Sequence, residues 1–360
     1  MKAALADFEA GIDQLLVFLD RTEREQGLIG LLNERKRDLP GDEVKLLNQL
    51  VATATNTKQY IYTVAIVSLY GLLERLADSL VSGFVVYLGE LSEQFKRLPE
   101  AIQRNHLPYS LALAEALIRD KFRTETTYEK VIANLHSCFS DAKDYQLNGS
   151  AFSLHRGNLT LNRITDMLAN VGVQHHLRRM ARTPAFSFCL AQREQERDIN
   201  APSDEDIRAI FEPIDDLVER RNFVSHGVVL VDDLESVGLL KERCAFVSAY
   251  GKGLFELLQH DALKFSAEVG IAVSLGKPIQ VFNNKIVCFE IKGHRIAVGD
   301  QLFVLTSDAM EPVRASAVES LQIDKVNHLE IMAIEAIKIG AQVGFHAKDG
   351  HDYYLLSTPT

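Results

Sequence analysis

Three polar residues in the second half of the chain have types and spacing suited to phosphate chemistry. Arg221 and Asn222 stand five and four positions before His226, so on a helix the amide and the imidazole share one face. Histidine can move a proton near neutral pH, because the pKa of its imidazole is ordinarily about 6.5. Arginine offers a fixed fork of donors for phosphate. Asn222 can either orient the imidazole or bind a phosphate oxygen.

A structural role for these side chains is the main alternative. Arg221 could pair with Asp215 or Asp216, and His226 could cap the C-terminus of a helix, where the helix dipole favours a cation. An arginine five positions before a histidine is common by chance, so the spacing indicates a site only together with a wider pattern.

The elements that position these residues are expected to be helices. Up to about residue 268, apolar residues recur at intervals of three and four, which is typical of amphipathic helices. The pattern predicts a long helix at about 57–88 and another at about 207–225, preceded by acidic residues and ended by Gly227. A further helix is predicted at about 236–269.

The pattern changes after residue 268 to short runs of β-branched and aromatic residues, separated by Gly, Asp and Asn. The predicted strands are 271–274, 281–282, 286–291, 295–298, 302–305 and 343–345. Dense turns and short strands favour a closed β-barrel. The predicted fold class is therefore α+β and multidomain, with an all-α helical bundle at residues 1–268 and a small C-terminal β-barrel at 269–360.

Composition and charge exclude several classes of protein. With 47% apolar and 24% charged residues, the 360-residue chain can bury a core, which excludes a disordered chain. The net charge of −10 provides no overall attraction for a polyanion, so any nucleic-acid contact must be local. The four cysteines form no CxxC pair, which argues against a disulfide framework and a thiolate metal site. Since the N-terminus resembles no secretory signal, we expect a cytoplasmic protein.

The most apolar stretch, residues 60–88, is interrupted by Glu74, Arg75 and Asp78, so we interpret it as a buried helix and expect no membrane contact. Glu74 and Asp78 are four residues apart and share a helix face. They could line a catalytic cleft, but a solvated or salt-bridged helix face is the simpler interpretation.

A second acidic and histidine-rich group lies near the C-terminus. His346, Asp349, His351 and Asp352 suggest metal ligands, but residues 348–350 are typical of a turn, which favours a solvated hairpin. The chain also contains no GxxxxGK[ST], GxGxxG or GxSxG motif. We therefore predict neither a metal nor a cofactor.

Residues 217–227, with the sequence LVERRNFVSHG, resemble the signature of the HEPN superfamily. In that superfamily an R-x4-6-H motif, often with Asn after the Arg, forms a metal-independent RNase centre on a helical bundle. The resemblance is closest to the long cyanobacterial-type HEPN nucleases of genome-conflict systems, and it implies catalytic roles for Arg221, Asn222 and His226. Val228 stands where nucleotidyl-transferring relatives have tyrosine, so AMP transfer is not expected.

Cleavage of RNA without a metal needs a base for the 2′-OH, an acid for the leaving 5′-oxygen and a cation for the phosphate. One Arg–His pair supplies too few groups, so we expect a homodimer with both copies around one cleft, as the resembling family builds it. The expected function is a metal-independent endoribonuclease that acts as a toxin or anti-phage effector, with an antitoxin or regulatory protein as a candidate partner. A non-catalytic HEPN-like module for RNA or protein interaction is the alternative.

Residues 293–305 and 333–344 resemble two elements of the β-barrel that follows the GTPase domain in translation factors. Such barrels often contact tRNA or a partner protein, so the resemblance implies that the barrel docks an RNA substrate, with tRNA as one candidate. A stabilising barrel without a ligand is the alternative. Gly299-Asp300 and Gly340 are predicted turn positions.

Overall fold

The computed structural model describes residues 1–119, 126–140, 142, 144–155, 157–192, 203–227, 234–306, 308 and 310–357. The helices are α1 (Lys2–Glu34), α2 (Gly41–Glu90), α3 (Glu100–Arg119), α4 (Tyr128–Phe139), α5 (Gly149–Phe152), α6 (Leu161–Asn170), α7 (His176–Ala181), α8 (Pro184–Gln192), α9 (Asp204–Ser225) and α10 (Val237–Glu268). The strands are β1 (Val273–Gly276), β2 (Gln280–Phe282), β3 (Ile286–Ile291), β4 (His294–Ala297), β5 (Gln301–Leu305), β6 (Arg314–Ile323), β7 (Val326–His328), β8 (Glu330–Ala333), β9 (Ile337–Val343) and β10 (Asp352–Leu356). The predicted α+β fold class is confirmed. None of the described helices combines the length and the apolar character that crossing a membrane requires.

Capping residues set the bounds of α9. The Ser203 hydroxyl accepts the backbone N–H of Asp206, and the Asp206 carboxylate accepts the backbone N–H of Ser203, which forms a capping box. The helix ends at Ser225, and Gly227 follows with φ of +73°, a conformation that favours glycine. The helix predicted at 207–225 and its end at Gly227 are therefore confirmed.

Helix α2 is longer than predicted, because it begins at Gly41 and not near residue 57. Its first half contains threonines, which are weak helix formers. The Thr53 hydroxyl donates to the Gln49 carbonyl at 3.1 Å, and the Thr57 hydroxyl donates to the Thr53 carbonyl at 3.0 Å. Threonine that bonds back to the preceding turn is accommodated within a helix, so the pattern at these positions does not end it.

The chain forms two compact units. The first comprises residues 1–83, 150–171 and 183–255. Its core contains an aromatic cluster, in which the Phe186 ring stacks on Phe211 with centroids 4.8 Å apart. Phe246 and Tyr250 meet these two rings edge-on. This cluster joins α8, α9 and α10, and so anchors the helix that carries the predicted site.

The second unit comprises residues 84–149, 172–182 and 256–360. It contains all the described strands together with α3, α4, α7 and the last part of α10. Leu263 of α10 packs in a buried cluster with Ala272, Phe303 and Leu356. The last helix ends at Glu268, where the predicted domain boundary lies. The second compact unit includes residues on both sides of this position. Separate domains at 1–268 and 269–360 therefore stay a prediction.

The described strands form an antiparallel sheet with the order β1-β10-β5-β6-β9-β3-β2, in which β7 also pairs with β6, and a separate β4–β8 ribbon. The first half of β6 pairs with β5, and its second half pairs with β9 and β7. The register of the β6–β9 pair shifts between Val318 and Ser320, which bends the strand. The sheet therefore curls around one core as a half-barrel.

Two sequence predictions about this sheet are wrong. The barrel is not closed by the described strands, because β1 and β2 each pair with one neighbour only. Both are short, and Pro278 between them has no backbone donor for a ladder. Residues 348–350 do lie in a turn, but no hairpin results, because β9 and β10 pair with other strands and not with each other.

The two predicted glycine turns have different outcomes. Gly299 has φ of +96°, and the buried carboxylate of Asp300 accepts the backbone N–H of Ala297 at 2.8 Å, so this turn is confirmed. Gly340 instead lies in the middle of β9, where it pairs with Cys288 of β3. A Cβ at this position would make only ordinary contacts, 3.6 Å to Ile286 and 3.9 Å to Cys288, so Gly340 is a regular strand residue and the predicted turn is wrong.

Candidate functional site

The predicted site residues lie at the C-terminal end of α9. Arg221 and Asn222 are half-buried, and His226 is exposed at the position that follows the helix. The backbone N–H of His226 donates to the Asn222 carbonyl at 3.1 Å, which continues the helical turn as far as His226. Within the described parts of the chain, the His226 imidazole has no hydrogen-bond or ion-pair partner. Val228 lies outside the described residues.

The Arg221 guanidinium lies over the ring of Tyr70, with its central carbon 5.1 Å from the ring centroid. This cation–π contact orients the arginine without neutralising its charge. No carboxylate among the described residues forms an ion pair with Arg221. The guanidinium is thus held in place by an aromatic face and retains its donors for an anion.

The neighbouring Arg220 forms the ion pair that the structural alternative assigned to Arg221. Its guanidinium lies 3.0 Å from Asp216 and 3.4 Å from Glu235, and it donates to the Tyr62 hydroxyl at 2.9 Å. Arg243 also binds both carboxylates. The alternative pairing of Arg221 with Asp215 or Asp216 is therefore wrong in this structure.

In the ion-pair network of Arg220, Arg243, Asp216 and Glu235, opposite charges affect the pKa values more than burial does. Burial alone would raise the pKa of Asp216, but the Arg243 and Arg220 guanidinium groups hold that pKa below its ordinary value. The pKa of Arg220 is raised because its bonds to Tyr62 and Asp216 outweigh the effect of burial. The network links α9 to Glu235, just before α10, and so supports both sides of the segment that contains His226.

The Asn222 amide has a defined orientation. Its Oδ1 accepts from Asn158 Nδ2 at 2.6 Å and faces Arg221 Nη1 at 3.4 Å. Because a guanidinium only donates, the Asn222 atom that faces it must be the carbonyl oxygen. The Asn222 NH₂ group has no acceptor among the described residues, so it can donate to a ligand. Of the two roles expected for Asn222, this geometry favours binding a phosphate oxygen.

Tyr70 connects α2 to the segment before α6. Its hydroxyl accepts the backbone N–H of Leu159 at 2.9 Å and donates to Glu74 at 2.8 Å. Burial, with a smaller contribution from Glu74, raises the pKa of Tyr70 to about 12. The tyrosine is therefore neutral near pH 7, and the two hydrogen bonds of its hydroxyl hold its ring beneath Arg221.

A second contact anchors the same segment one turn further along α2. His155 Nε2 lies 3.3 Å from Asp78 Oδ1, and His155 Nδ1 donates to the Gly157 carbonyl at 3.0 Å. The carboxylates of Glu74 and Asp78 thus hold neighbouring protein groups, which agrees with the interpretation of a bonded helix face. Their role in the site is indirect, because the segment that they anchor carries Asn158.

Three residues of this arrangement were not predicted as part of the site: Tyr70, His155 and Asn158. The spacing of Tyr70, Glu74 and Asp78 at intervals of four was a usable signal, since it places three polar groups along one face of an apolar helix. Asn158 had no such signal, because its partner is 64 residues away in the chain.

The arrangement combines phosphate-binding donors with a group that can move protons. Arg221 and Asn222 present donors from one helix end, and the exposed His226 imidazole follows one turn later. No group of three or more His, Cys, Asp or Glu residues is placed to hold a metal ion in the part of the chain that the structure describes. The geometry is therefore suited to acid–base chemistry on a phosphate ester.

Comparison with protein-family models gives one match. Residues 41–260 match the model described as RiboL-PSP-HEPN, and this range includes α2, the segment before α6 and all of α9. No curated protein matches the chain.

Proposed function

Because the chain belongs to the RiboL-PSP-HEPN family, we propose that it is a metal-independent endoribonuclease with Arg221, Asn222 and His226 as its catalytic residues. HEPN proteins are generally ribonucleases or RNA-interacting proteins. The observation that carries the proposal is the orientation of the two α9 donors. Arg221 is held by Tyr70 without a carboxylate partner among the described residues. Asn222 Oδ1 accepts from Asn158 and Arg221, which leaves the Asn222 NH₂ group available to a ligand.

In the proposed reaction the 2′-oxygen of a ribose attacks the adjacent phosphorus, and the bond from phosphorus to the 5′-oxygen breaks. The 2′-OH proton passes to a base, and the leaving 5′-oxygen receives a proton from an acid. The products are a 2′,3′-cyclic phosphate and a 5′-hydroxyl. Arg221 and Asn222 bind the non-bridging phosphate oxygens, where negative charge increases in the transition state.

One chain offers a single exposed imidazole at this position, whereas the reaction needs both a base and an acid. We propose that a second copy contributes its His226 to the same cleft in a twofold dimer. Each imidazole then has one role, and two Arg221 side chains surround the phosphate.

The biological setting rests on the family resemblance alone. We propose a cytoplasmic toxin or anti-phage effector, related to the long cyanobacterial-type HEPN nucleases and controlled by an antitoxin or regulatory protein. The half-barrel would dock the RNA, including tRNA, as the similar barrel of translation factors does. Its position after the helical region is compatible with this role, although fold does not determine function.

The decisive experiment is cleavage of total RNA by wild-type protein beside His226→Ala, with and without EDTA. We expect the wild type to cut in both conditions and to leave 2′,3′-cyclic phosphate ends, and the variant to be inactive. A wild type that binds RNA but cuts none would favour the non-catalytic interaction module. Inhibition by EDTA would contradict a metal-independent mechanism.

A further inference from the structure

Phe223 lies between two site residues and is exposed to solvent. It directly follows Asn222 in α9, precedes His226 by three residues, and has 61% of its surface exposed. Its ring makes no contact with another aromatic ring among the described residues. A single exposed apolar side chain is ordinary in itself. What distinguishes Phe223 is its place among groups that are suited to binding phosphate.

Helix geometry places this ring beside the reacting groups. Residues three and four apart are neighbours on a helix surface, with Cβ atoms about 5–6 Å apart. Phe223 and Asn222 are therefore both neighbours of His226 on the exposed side of α9. A nucleotide whose ribose or leaving oxygen meets the His226 imidazole would therefore have its base within reach of the Phe223 ring.

We infer that Phe223 is a base-stacking residue that selects an unpaired nucleotide next to the scissile phosphate. The inference rests on the proposed ribonuclease function and names the substrate class of that site as single-stranded RNA. In-line attack by the 2′-oxygen needs a nucleotide that can leave helical geometry, and an unpaired base offers its face to an aromatic ring. Stacking of this kind tolerates any base, so the selection concerns pairing and not sequence.

The chain provides a matched control in Phe188. This phenylalanine is also helical and belongs to the same compact unit, and 67% of its surface is exposed. It lies on α8, outside the segment from Arg221 to His226. Removing its ring changes the apolar surface as much as removing that of Phe223, without altering the proposed site.

The test measures binding of a short 2′-O-methylated single-stranded oligonucleotide, which cannot undergo 2′-oxygen attack, and of the same strand annealed to its complement. The proteins are full-length wild type, Phe223→Ala, Phe223→Leu, Phe223→Tyr and Phe188→Ala. We expect Phe223→Ala and Phe223→Leu to weaken single-strand binding about tenfold and to raise KM for cleavable RNA similarly. Phe223→Tyr and Phe188→Ala should bind like the wild type, and the duplex should not distinguish the variants.

Three results would overturn the inference. One is unchanged binding by Phe223→Leu, which would show that the ring is not needed. Another is an equal loss of affinity for the duplex. The third is a change of molar mass in light scattering for Phe223→Ala, which would make this ring a contact between subunits. Because the oligonucleotide is uncleavable, binding and cleavage are tested separately. Ring-dependent binding by a protein that cuts no RNA would contradict the proposed nuclease and the placement of Phe223 beside a scissile phosphate, and would leave only its stacking on an unpaired base.

Discussion

The Tyr70 ring supports Arg221 on one side and holds the segment before α6 by its hydroxyl. The Arg221 guanidinium carbon lies 5.1 Å from the ring centroid, and the hydroxyl accepts the Leu159 N–H at 2.9 Å. Tyr70 of α2 thus positions Arg221, the proposed phosphate-binding cation on α9. It also holds Leu159, the residue next to Asn158, and Asn158 in turn orients Asn222. The site depends on three parts of the chain that are far apart in sequence.

Tyr70 variants should separate the role of the ring from that of the hydroxyl. Tyr70→Leu removes the aromatic face, so Arg221 loses its support and kcat/KM should fall about tenfold or more. Tyr70→Phe keeps the ring but leaves the buried Leu159 N–H without an acceptor, at a cost of about 1–3 kcal/mol in the free energy of unfolding. Urea unfolding and initial cleavage rates would measure the two effects. Equal activity of Tyr70→Leu and wild type would contradict the role of the ring.

Alanine at Arg221 should mainly reduce activity, whereas alanine at the adjacent Arg220 should mainly reduce stability. Arg221→Ala should reduce cleavage by a factor of about 10² or more while lowering stability by no more than about 1 kcal/mol, because it removes a cation–π contact with Tyr70 but no ion pair of the described residues. Arg220→Ala removes one of the two arginines that bind Asp216 and Glu235, leaves the Tyr62 hydroxyl without this partner, and should lower the free energy of unfolding by about 1–3 kcal/mol. Thermal melts and cleavage assays on both variants test this contrast. A large loss of stability in Arg221→Ala would assign that residue a structural role.

The two asparagines should differ in how strongly they affect catalysis. Asn222→Asp replaces the free NH₂ donors by a negative oxygen, so kcat should fall by a factor of about 10². Asn158→Ala removes only the donor that orients Asn222, and a fall of about three- to tenfold is expected. Asn162→Ala is the matched control, because this exposed amide on α6 accepts from Arg208 and from no other residue that the structure describes. Single-turnover cleavage separates these effects from product release, and wild-type rates for Asn222→Asp would rule out the phosphate-donor role.

Acid should destabilise the second compact unit through three buried histidines. Burial lowers the pKa values of His106, His176 and His260 to about 4, with a smaller contribution from Arg179 for the last two. The imidazole pKa is 6.5 in the unfolded chain and about 4 in the folded protein, so between these pH values the unfolded chain binds more protons than the folded one. The free energy of unfolding therefore keeps its full value above about pH 6.5 and falls as the pH drops from 6.5 toward 4.

The expected loss between about pH 7 and pH 5 is on the order of 1–2 kcal/mol for each histidine. Urea unfolding at several pH values measures it. In the folded protein His106 Nε2 accepts the Asn148 N–H at 3.1 Å. His106→Gln keeps an acceptor but does not titrate. The free energy of unfolding of this variant should therefore fall less steeply with decreasing pH. A slope that is unchanged in this variant would show that His106 does not contribute.

A composite site should allow complementation between inactive chains. Arg221→Ala and His226→Ala chains carrying different tags would be co-expressed and purified as mixed dimers. We expect these dimers to cleave RNA faster than either parent but far more slowly than the wild type. Their shared cleft regains both kinds of group, one arginine and one imidazole, and still lacks the second imidazole. A mixture of two His226→Ala chains is the control. Absence of any gain, with the mass of a single chain in light scattering, would refute the shared cleft.

Local sequence information predicted helices at about 57–88, 207–225 and 236–269, which α2, α9 and α10 contain, and the first five strands. Hydrophobic spacing and capping act over a few residues, so α9 and its end at Gly227 could be predicted closely. Strands β6, β7, β8 and β10 were missed, and β9 was predicted only at its last residue. In β6 the reason is that the strand contains few β-branched residues, so its pairing with β5 and β9 decides its conformation. Type and spacing made Arg221, Asn222 and His226 candidates, and the resemblance to the HEPN signature implied their catalytic roles, which stay a prediction.

Only the tertiary structure decided which of two adjacent arginines is free of carboxylates. Arg220 and Arg221 are chemically identical in the sequence, but they leave the helix in directions that differ by about 100°. That rotation brings Arg220 to Asp216 and Glu235, and it brings Arg221 to the face of Tyr70. The orientation of Asn222 by Asn158 is a contact of the same long-range kind. Such contacts arise from packing between distant segments, which local spacing does not encode.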